Sequence, residues 1–202
     1  MAKIKTITIG DLVWAASNLN TSQFRNGDTI PNAKIAAEWK KAGEERNPAW
    51  CYYNNNPANG AKYGRLYNWF AVNDKCGLAP EGFAIPSESD WEKLKDFIGG
   101  VFLEGKLKSE RLTLWKKESI GATNETGFSA LPSGTRYHFG DFNGLGESCS
   151  FWSSTIPADD KHAYYFYFAG YPGNYGFGYT SPRMDFLSGW SGRKLKRSSS
   201  EL

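Results

Sequence analysis

The chain has 202 residues, of which 40% are hydrophobic, 22% charged and 16% aromatic, with a formal net charge of +3. That length can bury a substantial core, the aromatic content excludes disorder, and 22 Gly with 9 Pro exclude a coiled coil. No apolar run approaches the ~18 residues of a membrane span, and so balanced a charge collects phosphate poorly, so neither membrane insertion nor nucleic acid is expected.

The segment from Lys3 to Ile9 alternates and predicts an opening strand, followed by a turn at Gly10-Asp11 and extended structure at Leu12-Val13-Trp14. Alternation here is unlike a signal peptide, so the expected settings are the cytoplasm, a particle, or a chain whose leader has been removed. Ser17 to Asp28, rich in Asn, Thr and Ser, predicts a surface loop. Ala33, Ile35, Ala36, Ala37 and Trp39 predict a short helix over Asn32 to Lys41 that ends near Gly43. Cys51-Tyr52-Tyr53 is β-prone, and Asn54 to Gly60 is a turn segment. Beyond Gly64, the spacing of Leu66, Tyr67, Phe70 and Ala71 predicts a helix of about two to three turns.

The clearest local signal is Pro86-Ser87-Glu88-Ser89-Asp90-Trp91. Ser87 can cap a helix start, Glu88 and Asp90 suit the positive end of its dipole, and Gly99-Gly100 stops it. Trp91, Leu94, Phe97 and Ile98 form its expected apolar face. After Trp115 helical periodicity ceases. Strand candidates are Phe128 to Leu131, Ser150 to Ser154, Ala163 to Phe168, Phe177 to Thr180 and Gly192 to Arg197, between Gly or Pro turns. Helices early and short antiparallel strands with long loops late make an α+β chain, without the strand–helix alternation of a parallel sheet. The basic cluster Arg193, Lys194, Lys196 and Arg197 predicts a basic edge strand before a polar Ser-rich tail, 198–202.

The chemistry-bearing residues are sparse. Cys51, Cys76 and Cys149 are an odd count without metal-ligand spacing, allowing at most one internal disulfide. There is no phosphate loop, no nucleophile elbow and no zinc helix. His138 and His162 read as surface or loop residues, and Asp159-Asp160 as a solvated loop tip. Asn54 to Asn59, with Asp141 and Asn143, carry oxygens of the kind calcium prefers, but no loop has ordered ligand spacing, and no cofactor is expected. Binding has better support. Between Tyr164 and Trp190 the aromatics are so dense that strand alternation must turn one set outward, either Tyr165/Tyr167 or Tyr164/Phe166/Phe168. Tyr171, Tyr175 and Tyr179 stand among Gly and Asn, a composition suited to recognition.

Several blocks in order resemble one family: Thr8-Ile9-Gly10-Asp11-Leu12-Val13-Trp14, Asn18-Leu19-Asn20, Cys51-Tyr52-Tyr53-Asn54-Asn55 and Tyr63-Gly64-Arg65-Leu66-Tyr67-Asn68-Trp69. Leu78-Ala79-Pro80-Glu81-Gly82-Phe83, Ile85-Pro86-Ser87, Thr123 to Gly134 with Arg136, and Phe151-Trp152-Ser153-Ser154-Thr155 continue the likeness. The chain resembles the Fibrobacter succinogenes major paralogous domain, related to the formylglycine-generating-enzyme branch of C-type-lectin folds. The resemblance implies a single C-type-lectin-like domain over 1–202, with its core at about 6–197. The enzyme branch uses a late cysteine pair, whereas the only late cysteine here is Cys149, and Lys194 stands where the family usually has Cys, so Cys51 also lacks its family disulfide partner. The Glu-Pro-Asn and Gln-Pro-Asp calcium triplets are absent as well, so calcium-dependent sugar binding is not implied. The related variable proteins, phage tropism determinants among them, display ligand-contacting side chains from the last third of the fold. The expectation is a non-enzymatic recognition module on a virion surface, contacting a host-cell glycan or protein and other virion proteins, with self-association allowed. Tyr171, Tyr175, Tyr179 and Trp190 would stack, and Asp141, Asn143, Asn174 and Arg183 would make polar contacts. The alternatives are a structural virion protein, a bacterial adhesin-like domain and an oxidase of the formylglycine-generating type.

Overall fold

The computed structural model describes residues 4–110, 114–115, 121–156, 158, 163–169, 176–179, 190–191 and 195–196, and the fold within them is α+β. The first half contains β1 (Thr6–Ile9), β2 (Leu12–Ala15), α1 (Ala36–Glu44), β3 (Trp50–Cys51), α2 (Pro57–Tyr63), β4 (Leu66–Tyr67), α3 (Trp69–Val72), β5 (Phe83–Ala84) and α4 (Glu88–Ile98). The second contains β6 (Ser133–Arg136), β7 (Phe142–Leu145), β8 (Ser148–Trp152), β9 (Tyr164–Ala169), β10 (Gly176–Tyr179), β11 (Trp190–Ser191) and β12 (Leu195–Lys196). Single 3-10 segments lie at Tyr53–Asn55 and Val101–Lys106.

A small sheet runs in the order β1-β2-β12-β5, and a larger one in the order β10-β9-β8-β11-β4-β3, with β6 and β7 attached at β8. The foreseen edge strand is therefore interior: Leu195 pairs with both Trp14 and Ala84. Most ladders are antiparallel as expected, but β8 has parallel neighbours, pairing Cys149 with Gly134 of β6 and Phe151 with Ser191 of β11.

An aromatic core fills the space between α4 and the strands β8 and β9. Trp91 stacks on Phe166 at 5.0 Å and 11°, and Trp14, Phe128, Phe151 and Phe168 complete the buried cluster. A second cluster holds Trp50, Tyr67, Trp69 and Trp152, where Trp152 Nε1 donates to the Tyr67 carbonyl. A third, around Trp39, Cys51, Tyr53 and Leu66, lies under α1. Each indole and phenyl ring buries a large apolar area, so these clusters carry most of the favourable burial.

Local signals explain several elements. Ser87 accepts from the Asp90 amide while the Asp90 carboxylate accepts from the Ser87 amide, and Gly99 closes α4 in the left-handed region at φ +93°. Of the expected apolar face of α4, Trp91, Leu94 and Ile98 are buried, but Phe97 is 58% exposed and lies against Gly10.

Other expectations are corrected by pairing at a distance. The helix foreseen over 32–41 begins only at Ala36, because Asn32 bridges to Trp50 and the Ala33 amide donates to the Trp50 carbonyl. It then runs past Gly43 to Glu44. The turn segment 54–60 keeps its turn only at Asn54 and Asn55, both at positive φ. Pro57 instead opens α2, whose first free amide, that of Ala58, donates to Asn56 Oδ1. Leu66 and Tyr67, spaced as for a helix, pair with Cys51 and Trp50 as β4, and Asn68 then caps the single turn of α3. The strand expected at 128–131 reduces to one bridge, Lys108 to Ala130, because the Asn124 side chain holds Ser129 in the left-handed region. The loop 17–28 lacks regular structure as expected, yet it buries Leu19 and Phe24. Among the described residues, no helix is long and apolar enough to cross a membrane.

Candidate functional site

The sequence-derived site residues are only partly brought together. Tyr171, Asn174, Tyr175 and Arg183 lie outside the described residues, as does His162. Tyr179 ends β10 opposite Tyr164, and Trp190 opens β11 opposite Tyr67. Asp141 and Asn143 are both exposed on the β6–β7 hairpin, where they join two rings that the sequence reading passed over, Tyr137 and Phe139.

The hairpin is built from a glycine and an arginine. At Gly134, φ is +66° and an added Cβ would meet the Tyr53 ring at 2.5 Å, so only glycine lets β6 lie that close. The tip is closed by the Tyr137 amide donating to the Asp141 carbonyl at 2.7 Å and the Gly140 amide to the Tyr137 carbonyl at 2.9 Å. Arg136, only 1% exposed, fixes the tip from below. Its Nε donates to the Gly140 carbonyl at 3.0 Å, Nη1 to Ala33 at 2.6 Å and Nη2 to Lys34 at 3.1 Å. The guanidinium centre lies 4.8 Å from both the Trp39 and Phe142 ring centroids. Carbonyl dipoles and ring faces thus compensate a buried charge, with Arg chosen because its planar fork serves several acceptors at once.

On this anchored tip, Tyr137 and Phe139 are 37% and 49% exposed and stack with centroids 5.4 Å apart at 29°. His138, the half-buried loop residue foreseen, meets Phe139 edge-on at 4.7 Å. The tip rests on the first turn of α1, where a Cβ on Gly140 would come within 2.4 Å of the Ala36 Cβ, and Ile35 beside it is exposed. The rings are therefore presented to solvent by a rigid mount.

A second aromatic stripe lies on β9. Phe166 and Phe168 enter the core, while Tyr164, Tyr165 and Tyr167 stay half-buried, so the inward set is the one with the phenylalanines. Across the ladder Tyr165 and Tyr167 face Gly178 and Gly176, which have no side chain to cover them. Burial pushes the Tyr167 hydroxyl pKa up against its hydrogen bond with Ser148, and Tyr137 and Glu147 lie within electrostatic range of it. The stripe and the hairpin tip are thus neighbours.

None of the three cysteines forms a disulfide. Burial pushes the Cys51 pKa up to about 11 despite the Arg136 guanidinium nearby. The hydrogen bond with Asp74 raises that of Cys76, with smaller contributions from burial and from the Asp74 and Asp28 charges. Neither environment favours a thiolate nucleophile. The asparagines considered as calcium ligands are used locally: Asn55 Nδ2 donates to the Lys34 carbonyl, Asn56 caps α2, and Asn59 Nδ2 donates to the Tyr53 carbonyl. Among the described residues, no cluster of three or more His, Cys, Asp or Glu could hold a metal ion.

Residues 7–182 match the model of the Fibrobacter succinogenes major domain family, a span that covers most of the chain. The chain belongs to this family. No curated protein and no solved structure matches it. In this Fibrobacter succinogenes major domain the hairpin tip, the β9 stripe and six of the sequence-derived site residues fall inside the matched span, while Arg183 and Trp190 lie beyond it.

Proposed function

We propose that this Fibrobacter succinogenes major domain is a non-enzymatic recognition module of C-type-lectin-like fold, set on a virion surface and contacting a host-cell glycan or protein. The observation that carries the reading is the exposed Tyr137–Phe139 stack, held on a hairpin whose base is locked by the buried Arg136. Rings fixed in advance contribute contact area at little entropic cost on binding, and neighbouring Asp141 and Asn143 add polar contacts. Tyr171, Asn174, Tyr175, Tyr179, Arg183 and Trp190 belong to the same proposal as its extension along the chain. The lectin-like part of the reading is supported by the closure of the small sheet, in which β12 joins β2.

The test is binding of purified protein to a glycan array and to bacterial cells, comparing the parent with a Tyr137→Ala/Phe139→Ala variant. Loss of about 1.4 kcal/mol or more of binding, a tenfold weaker Kd, with an unchanged melting temperature supports the reading. Unchanged binding removes the tip from the recognition surface. If the same variant instead abolishes self-association in sedimentation while parent and variant ignore cells alike, the tip is an assembly contact of a structural virion protein.

A further inference from the structure

β1 ends the small sheet β1-β2-β12-β5, so one of its long sides has no neighbouring strand. We infer that this edge pairs with the same edge of a second copy of the chain, antiparallel about a two-fold axis at Ile7. The hairpin tip plays no part in this contact.

The register decides which backbone groups are free. One step beyond the Thr6–Ala15 pair, the Ala16 amide donates to the Lys5 carbonyl at 2.9 Å, so Lys5 and Ala16 form a hydrogen-bonded pair. Such pairs alternate along an antiparallel ladder. Ile7 and Ile9 therefore also bond to β2, while the amides and carbonyls of Thr6 and Thr8 point away from it. Thr6 and Thr8 are exposed, and none of the described residues bonds to those outward groups. A run of β-branched residues with free donors and acceptors along one side is a template for another strand.

The edge complements itself. Its ladder extends from Lys5 to Ile9, with Ile7 at the middle. Turning the strand about Ile7 sets Thr6 opposite the partner's Thr8, where the two exchange both main-chain bonds, and Ile7 meets the partner's Ile7. The same turn places the partner's Lys5 opposite Ile9 and diagonal to Asp11. Lys5 and Asp11 are exposed, and neither forms an ion pair among the described residues. Within one chain they stand roughly 15–20 Å apart along the strand, beyond the screening length. Across the axis they become diagonal neighbours about 7–8 Å apart, within reach of a long side chain. A groove of about 400 Å³, lined by Thr8, Ile9 and Phe97, flanks the edge at this point. It can take the incoming lysine, with the aliphatic stem on the Phe97 ring, 58% exposed against Gly10, and the ammonium at Asp11. Lys106 in the groove wall is paired with Glu125 at 3.6 Å, which offsets its charge.

The experiment is sedimentation equilibrium of the full chain with hydrogen exchange read by NMR. A monomer–dimer equilibrium with a Kd of about 100 µM is expected for so short a ladder. Between about 10 µM and about 1 mM protein, exchange at the Thr6 and Thr8 amides should slow about fivefold, because about a fifth of the chains stay monomeric at the higher concentration. The Ile7 and Ile9 amides, already bonded to β2, should not change. Thr8→Pro removes an outward amide and no bond to β2, so it should abolish the dimer and keep the hairpin. Lys5→Glu and Asp11→Lys, both on exposed residues, should each weaken association about tenfold, and combining them should restore it, a rescue that misfolding cannot imitate. The Tyr137→Ala/Phe139→Ala variant should dimerise like the parent, which separates this contact from the recognition tip. A chain still monomeric at about 1 mM overturns the inference. So does a dimer whose Thr6 and Thr8 amides exchange freely or that ignores the charge reversals. Protection of both amides at every concentration also overturns it, since some other segment then covers the edge.

Discussion

Replacing Arg136 by Met tests whether one buried cation holds the hairpin tip to the rest of the molecule. Methionine keeps much of the apolar contact with Trp39 and Phe142 but removes every donor. The carbonyls of Ala33 and Gly140 are buried and would lose their partners, at about 1–3 kcal/mol each, while the Lys34 carbonyl keeps its bond from Asn55 Nδ2. Losing two cation–ring contacts adds about 0.5–2 kcal/mol each, and removing the buried charge returns part of its desolvation cost. The net expectation is a loss of about 4 kcal/mol, which at about 2–4 °C per kcal/mol for a chain of this size lowers Tm by about 8–16 °C. Urea unfolding followed by tryptophan fluorescence measures this as a shift in midpoint at unchanged slope. Arg136→Lys should recover less than half, because an ammonium cannot reach three separated carbonyls. A Met variant within about 1 kcal/mol of the parent would refute the anchoring argument.

Further outcomes are expected elsewhere. Gly60→Ala in α2 should lower stability despite the roughly 1 kcal/mol gain in helix propensity, because its Cβ would lie 2.1 Å from the Tyr52 ring, which Trp50 and Arg65 hold in place. Adding Tyr52→Ala should restore the propensity gain relative to Tyr52→Ala alone, a double-mutant cycle read by thermal melting. Ser87→Ala should cost about 1 kcal/mol, seen as a Tm lower by about 2–4 °C. Trp91→Ala should cost at least about 3–5 kcal/mol and leave a cavity among Trp14, Phe128 and Phe166 that calorimetry would register. Cys51 should resist alkylation at pH 8 until the chain unfolds. Its pKa is raised in the folded state from 9.0 to about 11, so an unfolded thiol ionises first and stability should fall as pH rises from 9 to 11; Cys51→Ala should flatten that slope.

Elements written into a few adjacent residues were legible in the sequence. The Ser87–Asp90 box with Gly99 delimits α4, and the alternation around Gly10 gives the β1–β2 hairpin, because in both cases the deciding contacts are local. Leu66 and Tyr67 were misleading, since their spacing suits a helix while their partners, Trp50 and Cys51, lie outside any local window. The candidate site divides in the same way. Asp141 and Asn143 were legible as polar residues in a turn-rich stretch. Tyr137 and Phe139 were not, because aromatic residues beside a strand suggest core, and only Arg136 reaching Ala33, 103 positions earlier, turns them outward. The signal that could have found them was Arg136 followed by three rings and Gly140-Asp141, a hairpin turn with more aromatic area than its interior can take.

The interior place of β12 has a kinetic consequence. Leu195 and Lys196 join Trp14 on one side and Phe83 and Ala84 on the other, so without them both β2 and β5 present raw edges. During synthesis the small sheet must wait, incomplete, until Leu195 and Lys196 have left the ribosome, more than a hundred residues after β5. Closing so long a loop makes the last step slow and leaves β2 open to pairing with a neighbouring nascent chain in the interval.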